Sequence, residues 1–348
     1  MRPGLLLRVL VVGLAVIAGP PAFADLKEAE VTILRYQDLK GWAEDDHGAA
    51  LKVFLATCRD LDDPEWRPVC SLAENQSNAR TFFELFFRPV LIETGKAALF
   101  TGYYEPELNG SRVPDASYRY PVYRMPPGLA RGALWHARER IERDGILDNK
   151  GLEIAWVDDP VDLQFLQIQG SGRIRLPDGS TIRLGYAGSN GHTYRSLGDE
   201  LVRRGVFNRH QVSAPVIRAW VRRNPVQGAD LLLHNPSYVF FREIGRVPAS
   251  TGPLGAMNRS ITAKRSLAVD PKYTPLGAPV WVEKGGSDAF NRLMIAQDTG
   301  SRIKGAQRAD IFFGTGDDAG RLAGQVRDPG RMVVLLPIQR AFALAPGG

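Results

Sequence analysis

Beyond residue 24 no hydrophobic run is long enough to span a bilayer, which excludes a polytopic membrane protein. The five histidines (His47, His136, His192, His210 and His234) are dispersed and lack metal-ligand spacing, so no metal site is expected. No G-x-S-x-G elbow and no P-loop occurs, leaving serine hydrolysis and phosphoryl transfer without support. Basic residues are scattered rather than clustered and give no nucleic-acid footprint. Internal repeats and low-complexity tracts are absent as well.

The rest of the composition is that of a globular chain: 44% hydrophobic and 24% charged, with a mean hydropathy of −0.18. Wholesale disorder and collagen are excluded, and 348 residues make two domains the natural prior. The 36 glycines and 24 prolines favour many turns and a β-rich design over a helix bundle. Formal charge is +6; loss of Arg2 and Arg8 with an N-terminal segment would leave about +4. Mild basicity suits a polyanion such as a cell-wall polymer or an anionic membrane surface.

Residues 1–24 have the layout of a secretory signal peptide. Arg2 and Arg8 supply the positive start, Val9 to Ile17 the apolar run, and Pro20-Pro21-Ala22-Phe23-Ala24 the small residues of a cleavage site. Cleavage is expected after Ala24, with a periplasmic product. No Cys adjoins that site, so no acceptor for a lipid anchor is expected. In an oxidising compartment, Cys58 and Cys70 read most simply as one structural disulfide closing a short loop.

Helical patterns cover Asp45 to Leu61, the aromatic-rich Leu72 to Val90, and residues 195–223. From Phe100 short strands and turn signals dominate. Arg173 to Leu176, Pro177-Asp178-Gly179 and Thr181 to Leu184 describe a β-hairpin. Further strands are expected at Ser266–Val269, Pro279–Glu283, Leu293–Gln297, Ile311–Phe313 and Met332–Leu336. The stretch around Gly314-Thr315-Gly316-Asp317-Asp318 has the strand–glycine turn–helix outline of a nucleotide site. Two acidic residues at the helix start would repel a pyrophosphate, and they read instead as a helix N-terminal cap.

Three aspartates stand at strand ends beside glycines: Asp270 before Pro271, Asp298 before Thr299-Gly300, and Asp310 before Ile311-Phe312-Phe313-Gly314. Each abuts an apolar run. Burial would raise a carboxyl pKa toward the range of a general acid, whereas a purely structural reading has all three folding turns.

Gly252-Pro253-Leu254-Gly255-Ala256, Ala263 to Asp270, Ala296 to Gly305 and Ala309 to Gly314 resemble the 3D (three-aspartate) domain of the MltA family of murein lytic transglycosylases. Phe100-Thr101-Gly102-Tyr103-Tyr104-Glu105-Pro106, Gln167 to Gly172, Gly185 to Gly191 and Asn235 to Phe241 resemble the same family, in its order. The resemblance covers nearly all of the mature chain. It implies a mainly β (α+β) architecture: a double-psi β-barrel from residues 25–101 and 244–340, with N-terminal helices and a 3D segment at about 252–338. A smaller inserted β-barrel, 102–243, would lie across a groove, and 341–348 would be a flexible tail. Two departures stand out: the missing Cys after the signal, which puts lipoprotein anchoring in doubt and leaves outer-membrane association without a lipid anchor as an alternative to a free periplasmic protein, and Asn258-Arg259 in place of a more glycine-like turn.

The resemblance further implies cleavage of the MurNAc–GlcNAc β-1,4 bond with a 1,6-anhydro product, exo-acting, without cofactor or metal. Asp310 would be the single acid/base and Asp298 its support, while Asp270 reads as structural. Thr101, Gly102, Tyr103, Gln169 and Ser171 are candidates for the groove wall, or else hinge and turn residues. Expected partners are peptidoglycan glycan strands and other cell-wall enzymes, with no nucleic acid, and the chain is expected to be a monomer. The competing class is a non-catalytic glycan-binding module on the same fold.

Overall fold

The computed structural model describes residues 26, 28–58, 60–61, 63–245, 247–248, 250–286 and 288–345. The expected signal peptide and residues 346–348 lie outside them. The first part of the chain holds β1 (Glu30–Ile33), α1 (His47–Cys58), α2 (Arg67–Ala73), α3 (Ala79–Phe86), β2 (Phe87–Glu93) and β3 (Leu99–Glu105). The middle holds β4 (Glu107–Ser111), β5 (Tyr120–Tyr123), α4 (Arg138–Glu142), β6 (Glu153–Val157), α5 (Pro160–Gln169), β7 (Gly172–Arg175), β8 (Thr181–Ser189), α6 (Leu197–Arg203), α7 (Ala214–Arg223), α8 (Pro225–Leu233) and β9 (Val239–Glu243). The last part holds β10 (Ser266–Val269), β11 (Pro279–Lys284), β12 (Phe290–Thr299), β13 (Arg308–Thr315), α9 (Gly316–Ala323), β14 (Arg327–Asp328), β15 (Gly330–Pro337) and α10 (Ile338–Leu344).

A nine-stranded sheet has the order β1-β2-β15-β11-β12-β10-β13-β3-β14, so the first and last parts of the chain share one unit. Two parallel pairs, β10–β12 and β3–β13, sit in this otherwise antiparallel sheet, in accord with a double-psi arrangement. Strands β4–β9 form a separate six-stranded sheet inserted between β3 and β10. The order is β5-β6-β4-β7-β8-β9, and a bridge from Arg124, immediately after β5, to Phe241 of β9 joins the two edges and closes the sheet into a barrel. The result is the expected mainly β class.

Both faces of the larger sheet are buried. Along β11, Val280 and Val282 fill the barrel interior with Leu267, Met294, Ile311 and Met332, while Trp281 turns outward beneath the helices. That outer layer is an aromatic cluster of Phe54, Trp66, Phe82, Phe83 and Phe87, all at most 1% exposed. The aromatic stripe is therefore core.

Several elements differ from the sequence pattern, each for a local reason. The helix expected over Leu72–Val90 is two helices and a strand. Asn78 caps α3 by accepting a hydrogen bond from the Thr81 amide, and Phe87 is extended, opening a strand that contains Pro89. Helix α1 begins at His47 because Asp45 is committed to Arg265 (2.8 Å) and Asp46 caps the Ala49 amide at 2.9 Å. The 195–223 pattern divides into α6 and α7. The tail expected from residue 341 is helical in α10 as far as Leu344, with Ala341 fully buried. Asp317 and Asp318 sit in the first turn of α9, but the cap position belongs to Thr315. Strands β13 and β15, either side of α9, are not neighbours in the sheet, so no nucleotide-type βαβ unit forms there.

Other expectations hold. The hairpin is β7–β8, with Arg175 opposite Thr181 and Gly179 at φ +84°. Cys58 at the end of α1 is bonded to Cys70 in α2, their Cα atoms 5.5 Å apart. No helix among the described residues is long and apolar enough to cross a membrane.

Candidate active site

Strand alternation decides which side chains meet. Ala309 and Ile311 of β13 enter the barrel interior, so Asp310 and Phe312 point to the opposite face. β3 runs parallel beside them, with Thr101 in register with Asp310 and Tyr103 with Phe312. On the other flank, Ala268 of β10 is in register with Asp310. β10 also pairs with β12, where Leu267 matches Ala296 but Ala268 matches Asp298. The extra residue, Gln297, is a β-bulge. Without it, alternation would put Asp298 inside the barrel with Met294 and Ala296; with it, Asp298 joins the face of Ala268 and Asp310. Gln297 is anchored by donating to Thr57 of α1 (2.9 Å) and accepting from Ser266.

Asp298 is held by three donors. The Tyr103 hydroxyl donates to Oδ2 at 3.0 Å, and the amides of Ala256 (3.0 Å) and Thr299 (2.9 Å) donate to Oδ1. Burial outweighs these bonds and, with help from the charge of Asp310, raises the carboxyl pKa to about 6. Burial, followed by the charge of Asp298, also pushes the Tyr103 phenol well above its ordinary value. Tyr103 packs on Phe312, ring centroids 5.3 Å apart.

Asp310 is bound differently. Arg308, two residues earlier and on the same face, donates to Oδ1 at 3.1 Å; Oδ2 accepts no hydrogen bond from the described residues. The side chain keeps 20% exposure. Burial raises its pKa, and the charge and hydrogen bond of Arg308 moderate the rise. The same guanidinium donates to Thr101 Oγ1 (2.7 Å) and to the carbonyl of Ala309 (2.6 Å). One cation thus aligns Thr101 and Asp310.

The insert borders this face. Tyr194, in the loop after β8, is near enough to Arg302 for that charge to bear on its phenol, although burial dominates and raises its pKa. Arg242 at the end of β9 donates to Asn258 at 3.0 Å. The insert therefore meets the loops that flank the face carrying Asp298 and Asp310, the 255–259 loop being the one whose Ala256 amide donates to Asp298.

Among the remaining sequence candidates, Thr101 and Tyr103 stand on this face. Gly102 does not: alternation turns it away, and a Cβ there would lie 2.7 Å from both Cα and O of Ala323 in α9. Gln169 ends α5 and accepts from the Tyr104 amide at 3.1 Å, bringing the insert against β3. Ser171 follows, half-buried, with no hydrogen bond to the described residues. Asp270 is 8% exposed. It accepts from the amides of Lys272 (3.2 Å) and Gly305 (2.9 Å), which takes up both oxygens in fixing loops. No group of three or more His, Cys, Asp or Glu among the described residues could hold a metal ion.

Sequence reasoning gave no role to Arg308 or to Glu105. Arg308 was open to inference, since residues i and i+2 of a strand share a face. Glu105 had only one signal, a carboxylate closing an apolar strand before a proline. It is fully buried among Arg173 (2.9 Å), Arg183 (3.3 Å) and Thr315 (2.7 Å).

Comparisons with known proteins match both parts of the chain. Residues 99–242 match the MltA specific insert domain and residues 265–336 the 3D domain. The chain is 37% identical over 247 residues to the membrane-bound lytic murein transglycosylase A of Escherichia coli K12. That alignment covers 68% of this chain and 65% of the relative, so it spans slightly less than two thirds of the relative's own length. The crystal structure of a membrane-bound lytic murein transglycosylase from Agrobacterium tumefaciens superposes with a TM-score of 0.83 at 33% identity, covering 90% of this chain and 99% of that one. E. coli MltA with bound chitohexaose superposes with a TM-score of 0.70 at 28% identity, covering 84% and 90%. With both domain types in order, and near-complete structural overlap at more than 30% identity, the chain belongs to the MltA family of lytic murein transglycosylases.

Proposed function

We propose that this chain is a peptidoglycan lytic transglycosylase that cleaves the MurNAc–GlcNAc β-1,4 bond with Asp310 as its single acid/base. The observation that carries the reading is the contrast between the two carboxylates. Burial raises the pKa of both, but Asp310 offers one open oxygen whereas Asp298 has both oxygens committed to donors. A retaining or inverting hydrolase needs two working carboxylates. A transglycosylase needs one, because no water is activated.

Protonated Asp310 donates to the glycosidic oxygen as the C1–O4 bond breaks, and GlcNAc leaves as the alcohol. The Asp310 carboxylate then accepts the proton of the MurNAc C6 hydroxyl as that oxygen bonds to C1 and closes the 1,6-anhydro ring. The acid is regenerated and no water is consumed. The tethered C6 hydroxyl gains the effective molarity of an intramolecular nucleophile. Arg308 keeps Oδ1 aligned, so Oδ2 is the oxygen that carries the proton. Asp298, through Tyr103 and Ala256, holds β3 and the 255–259 loop around the bond. The family points to exo action in the cell envelope. The E. coli relative's name, membrane-bound, and the bound chitohexaose of its structure favour glycan strands as the ligand.

Digestion of sacculi in H₂¹⁸O tests this. Anhydro products without label support it. Incorporation of ¹⁸O at C1 would mean hydrolysis, making Asp298 the first candidate for a second carboxylate. Glycan binding with no product from folded protein would favour the non-catalytic binding module.

A further inference from the structure

We propose that Glu105 is a positioning residue whose buried carboxylate fixes the angle between the two units, and with it the placement of the insert beside the face that carries Asp310 and Asp298. This rests on the active-site reading above but concerns a residue outside it.

Two chain segments connect the units. The outgoing one passes from β3 through Pro106 into β4; the return runs from the end of β9 through Pro248 and Thr251 to the loop before β10. Glu105 stands at the outgoing crossing and is fully buried. Its Oε2 accepts from Arg173 Nε at 2.9 Å and from Thr315 Oγ1 at 2.7 Å; its Oε1 accepts from Arg183 Nη2 at 3.3 Å. The two arginines belong to β7 and β8 of the insert, while Thr315 closes β13, the strand that carries Asp310.

Both guanidiniums reach on to the return crossing. Arg173 donates to the Thr251 carbonyl at 3.0 Å, and Arg183 donates to the same carbonyl at 2.9 Å and to that of Pro248 at 2.8 Å. The Arg173 amide also donates to the Pro106 carbonyl at 2.8 Å. One carboxylate therefore ties both crossings, the insert sheet and the end of β13 together. These bonds are charge-assisted and nearly dry, with Arg173 and Arg183 only 12% and 9% exposed, so water competes with them poorly.

A packing role alone would need no such arrangement. The partners of the Glu105 carboxylate lie in the insert and at the end of β13, and its two arginines continue to the return crossing, so loss of the carboxylate loosens the angle between units before it loosens either barrel. Displacement of reacting groups by about 1 Å costs on the order of a hundredfold in rate, and changes at hinge positions move kcat and KM together.

The test uses Glu105→Gln in the full mature chain, with spin labels on exposed Lys96→Cys in the larger unit and Lys150→Cys in the insert; the native cysteines are paired and stay unlabelled. The expected result is a broadened or shifted label–label distance distribution, restored in part by a glycan oligomer. On soluble glycan strands, kcat should fall and KM rise, about a hundredfold combined, with the pH–rate profile unmoved. Arg175→Met is the control: it removes an exposed ion pair to Glu107 (3.5 Å) in the same region and should leave distances and activity unchanged. An unchanged distance distribution overturns the proposal. So does a shifted pH profile at unchanged distance, which would make Glu105 an electrostatic tuner of the carboxylates. Should Glu105→Gln fail to fold, the charge-balanced Glu105→Gln/Arg183→Met variant takes the same measurements with the same expectations. The distances decide the matter even if the wild-type chain proves inactive on glycan, so failure of the enzymatic reading and failure of this one are told apart.

Discussion

Asp298→Asn should make the protein more stable at neutral pH while impairing it as an enzyme. Burial raises the Asp298 pKa from 3.8 to about 6. A carboxyl with a raised folded pKa stabilises the fold only while both states are protonated; as pH climbs from 3.8 to 6 the unfolded chain releases the proton first and stability is lost. The full shift corresponds to about 3 kcal/mol at pH 7. Asparagine keeps the shape and an acceptor for the amides of Ala256 and Thr299, and its NH₂ can donate to the Tyr103 hydroxyl, so roughly 1–3 kcal/mol of that penalty is recovered. In a chain of this size Tm should rise by roughly 2–6 °C at pH 7.5, and the gain should shrink toward zero between pH 6 and pH 4. Calorimetry of both proteins across that range is the assay. A variant less stable at pH 7.5, or a gain independent of pH, would refute the assignment of a buried, strained carboxylate.

Three further outcomes follow from the same geometry. Tyr103→Phe removes the 3.0 Å donor to Asp298, so that carboxyl's pKa should rise by about 1–2 units, visible as an alkaline shift of any activity limb it controls or by infrared titration. Gly102→Ala forces a Cβ to 2.7 Å from the α9 backbone and should cost about 1–3 kcal/mol in urea unfolding, although the position bears no functional group. The Cys58→Ser/Cys70→Ser pair opens a loop of sequence separation 12 and should cost about 3 kcal/mol by the chain-entropy model, with the specific activity of the remaining folded fraction unchanged.

Motifs carried much of this in the sequence, and long-range packing hid the rest. Ser266–Val269 as a strand and the Pro177-Asp178-Gly179 turn are local features, and the structure shows both as read; Asp310, expected at a strand end, is the third residue of β13, which starts earlier, at Arg308, because Arg308 and Ala309 pair with Leu99 and Phe100 of β3. Simple alternation along β12 would have buried Asp298, because the bulge at Gln297 depends on Thr57 of a distant helix. The aromatic run Phe82–Phe87 looked like one helix face because hydrophobicity does not mark where Asn78 starts a helix or where the chain turns extended at Phe87. Gly102 lay within a motif, yet its need is room for α9, a neighbour only in space. Glu105 was opaque for the same reason: its partners lie 68, 78 and 210 residues away.

The most direct test of the central claim compares wild type with Asp310→Asn on purified sacculi, with soluble muropeptides read by mass spectrometry. Asparagine preserves the hydrogen bond from Arg308 but cannot carry the proton, so anhydro-muropeptide release should fall by about a hundredfold or more, with glycan binding and Tm retained. Release within a few-fold of wild type from folded Asp310→Asn protein would contradict Asp310 as the acid/base.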